Sequence, residues 1–308
     1  MSGLRFFVLV GPTAVGKSEF AVDVAEQLGT EIVGADAFQL YQGFHVLSGK
    51  PSSALQSRIR HHLISVLPAS ENCDAARFAG LATEEIHKLN AQGLTPLVVG
   101  GSGFYVEALL SPLPDLPPGD PLLRSQLAKE PLESLLNELK CRDPEAFDEI
   151  DQQNRRRIER AIEVIRLTGK PFSTYRRPRI NDGQASGLVL TRPKPELHQR
   201  IDKRARWMLE NGAIEEVASA GELSMSARQM IGVSEISRLL SKEISLEECV
   251  QLIQAATRQY AKRQITWFKS KAFRPFPADG SALDAVRFYR EQGGTTVSSK
   301  QSGRSYRD

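Results

Sequence analysis

The stretch GPTAVGKSEF, residues 11–20, constrains this chain more than any other. A Gly-x-x-x-x-Gly-Lys-Ser loop cradles an anion only when a buried strand delivers it and a helix starts within it. Backbone N–H groups and the helix N-terminus then face one point. Both flanks are present. RFFVLV (5–10) is a short continuous apolar run, as expected of a buried parallel strand, and SEFAVDVAEQLG has helical spacing and stops at Gly29. The expected diphosphate- or nucleotide-binding residues are Gly11, Pro12, Thr13, Ala14, Val15, Gly16, Lys17 and Ser18. Lys17 adds a point charge, and Ser18 a hydroxyl ligand for Mg²⁺.

EIVGAD (31–36) and TPLVVGG (95–101) read as further strands, with a helix between them opened by Asp74 and closed by Gly93. That alternation is the rhythm of a doubly wound α/β domain. SPLPDLPPGDP (111–121) carries five prolines and marks a domain edge. Beyond it the spacing predicts helices over 122–140, 155–168, 196–220, 226–240 and 246–271, with GLVLT (187–191) a strand. The expected fold class is α/β: a P-loop NTPase-like core with a parallel sheet flanked by helices, plus a small helical insertion domain. The expected boundaries are 1–114 for the first part of the core, 115–185 for the insertion and 186–290 for the rest of the core. The polar stretch 291–308 is expected to be a disordered tail.

Composition excludes some classes. No apolar run approaches the roughly 20 residues that cross a bilayer. The N-terminus runs straight into the first strand, so a cytoplasmic protein is expected. Cys73, Cys141 and Cys249 are odd in number and far apart, which argues against a disulfide framework or a Cys-rich zinc site. His61 and His62 are adjacent and point in different directions, so a structural pair fits better than metal ligation. Net charge is only +3, but residues 153–206 hold fifteen Lys and Arg against five Asp and Glu, a local balance of 15 − 5 = +10. Such asymmetry points to a polyanion on one side of the molecule.

Asp36 ends the second strand, where open α/β sheets place their ligands. The third strand ends in GGSGFY rather than in an acidic residue, and no Asn-Lys-x-Asp guanine reader follows. Residue by residue, the chain is a P-loop transferase with Asp36 at a strand tip and a basic RNA-facing region. A small-molecule kinase using Asp36 as base stays open, as does a non-catalytic RNA-binding protein with a vestigial loop.

Six blocks, in order, resemble the tRNA dimethylallyltransferase family: GPTAVGKS, GADAFQLYQGFHVLSGKPS, HHLI, LVVGGSGFYVEALL, RRRIERAIEVIRLTGKPFS and TRQYAKRQITWFK. The resemblance implies transfer of a dimethylallyl group from dimethylallyl diphosphate to the exocyclic N6 amine of the adenosine just 3′ of the anticodon. The loop then holds the donor's diphosphate rather than ATP, with Mg²⁺ on Ser18. It implies Asp36 as the base, Ser102 positioning the amine and Arg124 clamping the diphosphate. Asp36, Ala37, Phe38 and Gln39 match the segment that touches the target nucleotide, with Gln39 reading a base edge. Arg156, Arg157, Ile158, Glu159 and Arg160 match a second RNA-contacting block. In TRQYAKRQITWFK, Arg258 and Lys262 share a helical face expected on the RNA or diphosphate side. The implied partners are the tRNA anticodon stem-loop and the donor, with no membrane, and the implied state is a monomer. The chain departs from the family pattern at Ala37 (usually Ser), at Ser65 after HHLI (usually Asp), and at IGVSE around Val233, which lacks the usual Tyr and Lys.

Overall fold

The computed structural model describes residues 4–111, 116–175, 187–293 and 295–297. They form two compact units, Met1–Pro112 with Asn181–Asp308, and Leu113–Ile180 between them in sequence.

The first unit is built on β1 (Leu4–Val10), β2 (Ile32–Gly34), β3 (His61–His62), β4 (Leu97–Gly100), β5 (Gly187–Thr191) and β6 (Arg274–Pro277). These strands run parallel in the order β3-β2-β4-β1-β5-β6. β1 is central and buried at every position but Arg5. That is why its sequence is a continuous apolar run rather than an alternating one. The tail departs from expectation: Thr295–Val297 forms β7, antiparallel to the first residues of β1. The rest of 291–308 beyond Val297 lies outside the described residues.

The helices of this unit are α1 (Lys17–Leu28), α2 (Ser53–Arg58), α3 (Ala75–Ala91) and α4 (Gly103–Leu110) before the insertion. The Asp74 side chain caps α3 by accepting the Arg77 N–H, and Gly29 ends α1 in the left-handed conformation. The second unit holds α5 (Pro121–Leu127), α6 (Leu132–Arg142), α7 (Pro144–Glu149) and α8 (Arg155–Thr168). The chain then returns to the first unit with α9 (Lys194–Glu210), α10 (Ala213–Ala218), α11 (Val233–Leu240), α12 (Leu246–Lys269) and α13 (Ala282–Gln292).

Three helices expected to be continuous are broken, each at a residue that cannot carry the ladder on. Pro131 separates α5 from α6. Gly212, at φ 110°, separates α9 from α10, and Gly232, at φ 103°, starts α11 after a 3-10 turn over Ala227–Gln229.

In the second unit, Leu127, Leu135, Leu139, Ile158, Ile162 and Ile165 form the apolar core. Around it several basic residues are engaged internally. Arg166 pairs with Glu130 and Glu138, and Arg155 donates to the carbonyls of Leu127, Ala128 and Glu130 where α5 ends. Glu163 is only 1% exposed. It accepts the Asp120 N–H at 2.8 Å, Arg124 Nε at 2.8 Å and Arg160 Nη1 at 2.5 Å. Burial opposes its ionisation, but the two guanidinium groups and the Asp120 N–H win and hold its carboxyl below the usual range.

Glu163→Ala is therefore expected to loosen the Asp120–Arg124 segment and destabilise this unit by about 2 kcal/mol. Faster amide exchange over residues 120–127 and 158–165, with the P-loop amides unchanged, would bear this out; uniform exchange across both units would not.

Candidate active site

The chemistry-bearing side chains of the first unit collect where β1, β2 and β4 end, the carboxyl edge at which open parallel sheets bind ligands. β1 leads into the phosphate loop. Ala14 at φ 62° and Gly16 at φ 107° place two left-handed residues in the turn, the kind of backbone from which anion-binding concavities are built. Val15 is fully buried in the core and anchors the loop, so only its backbone serves the site. Lys17 Nζ folds back to the carbonyls of Gly11 (3.0 Å) and Pro12 (2.8 Å), and Ser18 follows it in the first turn of α1.

Three arginines beyond β5 grip the same loop. Arg192 Nε donates to the Val15 carbonyl at 3.2 Å, Arg200 Nε to the Ala14 carbonyl at 2.7 Å, and Arg204 Nη1 meets Thr13 Oγ1 at 3.5 Å. Burial pulls the Lys17 amine down to about 8; Asp36 opposes this and Arg204 adds to it. Arg204 is itself pushed below the usual arginine range by burial, against the pull of Asp36 and Glu19. The site thus holds an excess of poorly solvated positive charge, which suits a polyanionic ligand.

The GGSG run at the tip of β4 has a packing cause. A Cβ on Gly100 would lie 2.0 Å from the Ala35 carbonyl oxygen, one on Gly101 2.4 Å from Gln264 Nε2, and one on Gly103 2.4 Å from the Trp267 ring. An acidic residue has no room there. Gln264, buried on α12, joins the two loops: its Oε1 accepts the Thr13 N–H at 2.9 Å and its Nε2 donates to the Gly101 carbonyl at 2.8 Å. The Ser102 hydroxyl makes no helix cap; it accepts the Ala37 N–H at 2.9 Å, while Asp36 Oδ1 accepts the Phe38 N–H at 3.0 Å. Ser102 therefore fixes the backbone that carries Asp36. Tyr260 lies against Ser102 and Gln264, its hydroxyl pushed up to about 12 by burial and by the charge of Asp36.

Asp36, Phe38, Thr13, Arg204 and Tyr260 line one cavity of about 70 Å³, whose remaining wall is largely Leu47, Ile201, Met208, Met230, Ile231 and Ile253. One water needs roughly 10–15 Å³ by the same measure, so a small branched hydrocarbon has space here. A carboxylate and an arginine at one side and an apolar wall at the other make the pocket amphipathic.

Several expected site residues stand elsewhere. Gln39 is turned inward, its Nε2 donating to the Gly49 carbonyl at 3.0 Å, so that nitrogen is engaged with the chain's own backbone rather than presented to a base. Ile158 is fully buried in the second unit's core, so its side chain belongs to packing and not to an RNA-facing surface. Arg124 and Arg160 share Glu163, Glu159 pairs with Arg155, and Arg258 pairs with Asp202. Arg156 and Arg157 are exposed on α8. Arg204, Gln264 and Tyr260 were missed as site residues. Arg204 stood in the +10 stretch with nothing local to separate it from fourteen other cations, and Gln264 and Tyr260 stood in TRQYAKRQITWFK with no cue to which helix face they occupy. Among the described residues no three His, Cys, Asp or Glu side chains gather as a metal group, and no helix is long and apolar enough to cross a membrane.

Residues 39–271 match the family described as IPP transferase. The tRNA dimethylallyltransferase of Akkermansia muciniphila is 40% identical over 274 residues, covering 89% of this chain and 93% of that protein. The tRNA dimethylallyltransferase 1 of Citrifermentans bemidjiense is 41% identical over 272 residues, covering 86% and 89%. Among solved structures, the tRNA isopentenylpyrophosphate transferase of Bacillus halodurans aligns with a TM-score of 0.67 at 30% identity, over 94% of this chain and 96% of that one. A eukaryotic dimethylallyltransferase acting on tRNA shares the fold with a TM-score of 0.77 at 24% identity, over 96% and 81%.

The lowered amine of Lys17 has a definite sign. Its folded value, about 8, lies below the ordinary 10.5. The cost of keeping it charged is present in full below pH 8 and disappears as pH rises toward 10.5. Lys17→Met should therefore raise stability at pH 7 by about 1–3 kcal/mol while removing diphosphate binding, and the gain should shrink between pH 8 and 10. Thermal melts across that range, paired with diphosphate calorimetry, test this; a variant less stable than wild type at pH 7 would refute it.

Proposed function

The chain belongs to the IPP transferase family, and from that premise we propose how its site works. It is a prenyltransferase acting on tRNA. The donor is dimethylallyl diphosphate, and the acceptor is the N6 amine of the adenosine immediately 3′ of the anticodon. The observation that carries this reading is the amphipathic cavity: Asp36 and Arg204 among an otherwise largely apolar lining that includes Leu47, Ile201, Met208, Met230, Ile231 and Ile253.

The adenine amine is a weak nucleophile because its lone pair is delocalised into the ring. The base is flipped from its stack to bring N6 to the allylic carbon. As the N–C bond forms and the C–O bond to the diphosphate breaks, Asp36 takes the amine proton. Ser102, through the Ala37 N–H, keeps the Asp36 backbone in place, and Phe38 packs at the same cavity. The leaving diphosphate gathers negative charge, which the N–H groups at the start of α1, Lys17 and Arg204 neutralise.

The hydroxyl of Ser18, in the first turn of α1, is the protein oxygen that would hold Mg²⁺, an ion that binds through few protein ligands together with substrate phosphates. Mg²⁺ there would supply further charge neutralisation to the diphosphate. On α8, Arg156 and Arg157 meet phosphates of the anticodon stem-loop. Arg124 is half-exposed in the second unit, where it pairs with Glu163. The protein works as a monomer in the cytoplasm.

The test is a product assay. Unmodified tRNA, Mg²⁺ and dimethylallyl diphosphate should give prenylated adenosine by mass spectrometry of the digested nucleosides, and ATP in place of the donor should give none. Asp36→Asn should lower turnover by at least about 10²-fold with tRNA affinity within a few-fold of wild type. A fully active Asp36→Asn would remove Asp36 as the base, and ADP without prenylated product would overturn the reaction itself.

A further inference from the structure

The segment 44–50, between β2 and α2, has no regular structure, yet it forms one side of the cavity through Leu47 and Ser48. Its shape comes from a residue far along the chain. Glu216, on α10, accepts three consecutive backbone N–H groups: His45 at 2.6 Å and Val46 at 2.7 Å on Oε1, and Leu47 at 2.9 Å on Oε2. Consecutive N–H groups pointing one way make an anion-binding concavity, and here the chain fills it with its own carboxylate. Charge-assisted bonds of this kind are about twice as strong as neutral ones.

What the carboxylate holds bears on the pocket in two ways. Leu47 is set over Gly232, where a Cβ would fall 2.5 Å from Leu47 Cδ1, so its side chain has one seat against the cavity wall. Two residues on, Gly49 at φ 63° lies beneath the Arg204 guanidinium, where a Cβ would come within 1.6 Å of Nη2. The segment thus packs both the apolar side of the cavity and the arginine at its polar side. Glu216 also opposes the burial that pulls the Lys50 amine down to about 8, and Lys50 ties the segment's end to the Tyr41 carbonyl. Glu216 itself does not line the cavity.

We propose that Glu216 is a positioning residue for the prenyl donor: by binding the His45, Val46 and Leu47 N–H groups it seats Leu47 against the alkyl chain and Gly49 under Arg204, and so sets both donor affinity and the chain length accepted. The proposal rests on the reading of the cavity as the donor site. It requires donor binding to depend on Glu216 while tRNA binding does not. Glu216→Gln keeps the volume and one acceptor oxygen but turns an N–H toward one of the three donors, so it should fall between wild type and Glu216→Ala.

Steady-state kinetics with dimethylallyl diphosphate varied at saturating tRNA, and the reverse, test this. The expected result is a donor KM raised about tenfold in Glu216→Ala and about threefold in Glu216→Gln, with the tRNA KM within twofold of wild type. Competition between dimethylallyl and geranyl diphosphate should show discrimination narrowed in the same order. If Glu216→Ala does not fold, the isosteric Glu216→Gln carries the test. Unchanged donor KM and chain-length preference, or donor and tRNA KM rising together, would overturn the proposal while wild-type product still upholds the reaction. No product from the wild-type protein would remove the donor-site reading and this proposal with it.

Discussion

Lys17 and Arg204 are both drawn out of water near the tip of β1, and both lean on the same carboxylate, Asp36. Glu19 adds its pull on Arg204, yet keeping both cations charged is costly where water is scarce and screening is poor. Left alone, Lys17 answers by giving up part of its proton affinity and by folding onto the Gly11 and Pro12 carbonyls. A diphosphate, the ligand proposed for this loop, would relieve that cost. The resting site is therefore strained electrostatically in the direction that favours its ligand, and the large core around β1 and α1 offsets the cost.

Such a site keeps its form only if the loops around it cannot relax. None of them is regular secondary structure, so their backbone groups need partners from elsewhere. Those partners come from distant points in the chain: Gln264 from α12 for Thr13 and Gly101, Ser102 for Ala37, Arg200 for Ala14, and Glu216 for the segment after His45. Each is a polar side chain crossing between elements, and each fixes a loop more narrowly than apolar packing alone, which is non-directional.

The second unit uses charge for a different purpose. Arg155 and Arg166 satisfy helix-end carbonyls and two glutamates, and Glu163 draws Arg124 and Arg160 together with the Asp120 N–H. In the +10 balance over residues 153–206 Arg166 counts without its partners, because Glu130 and Glu138 lie outside that window, whereas Arg155 and Arg160 pair within it with Glu159 and Glu163. In the first unit, Arg192, Arg200 and Arg204 of the same stretch are spent on the phosphate loop. Part of the basic stretch is thus internal structure, while Arg156 and Arg157 are exposed on α8.

What could be read from the amino-acid order alone was whatever depends on near neighbours. The loop of residues 11–18 announces itself because strand, glycines, lysine and helix start lie within one short run. β1, β2, β4, β5 and α8 stand where periodicity placed them, and Asp36 stands at a strand tip. The breaks at Pro131, Gly212 and Gly232 were visible as residues but not as interruptions, because one proline or glycine in an apolar period is outvoted by its neighbours. Roles that depend on which distant residue comes to lie alongside were decided only by the tertiary structure. Nothing local tells that Gln264 reaches Thr13, that Gly49 makes way for Arg204, or that Gln39 turns inward to Gly49 rather than outward. Hydrogen bonds act over about 3 Å in space, and the distance along the chain between the partners leaves no trace in either segment's own pattern.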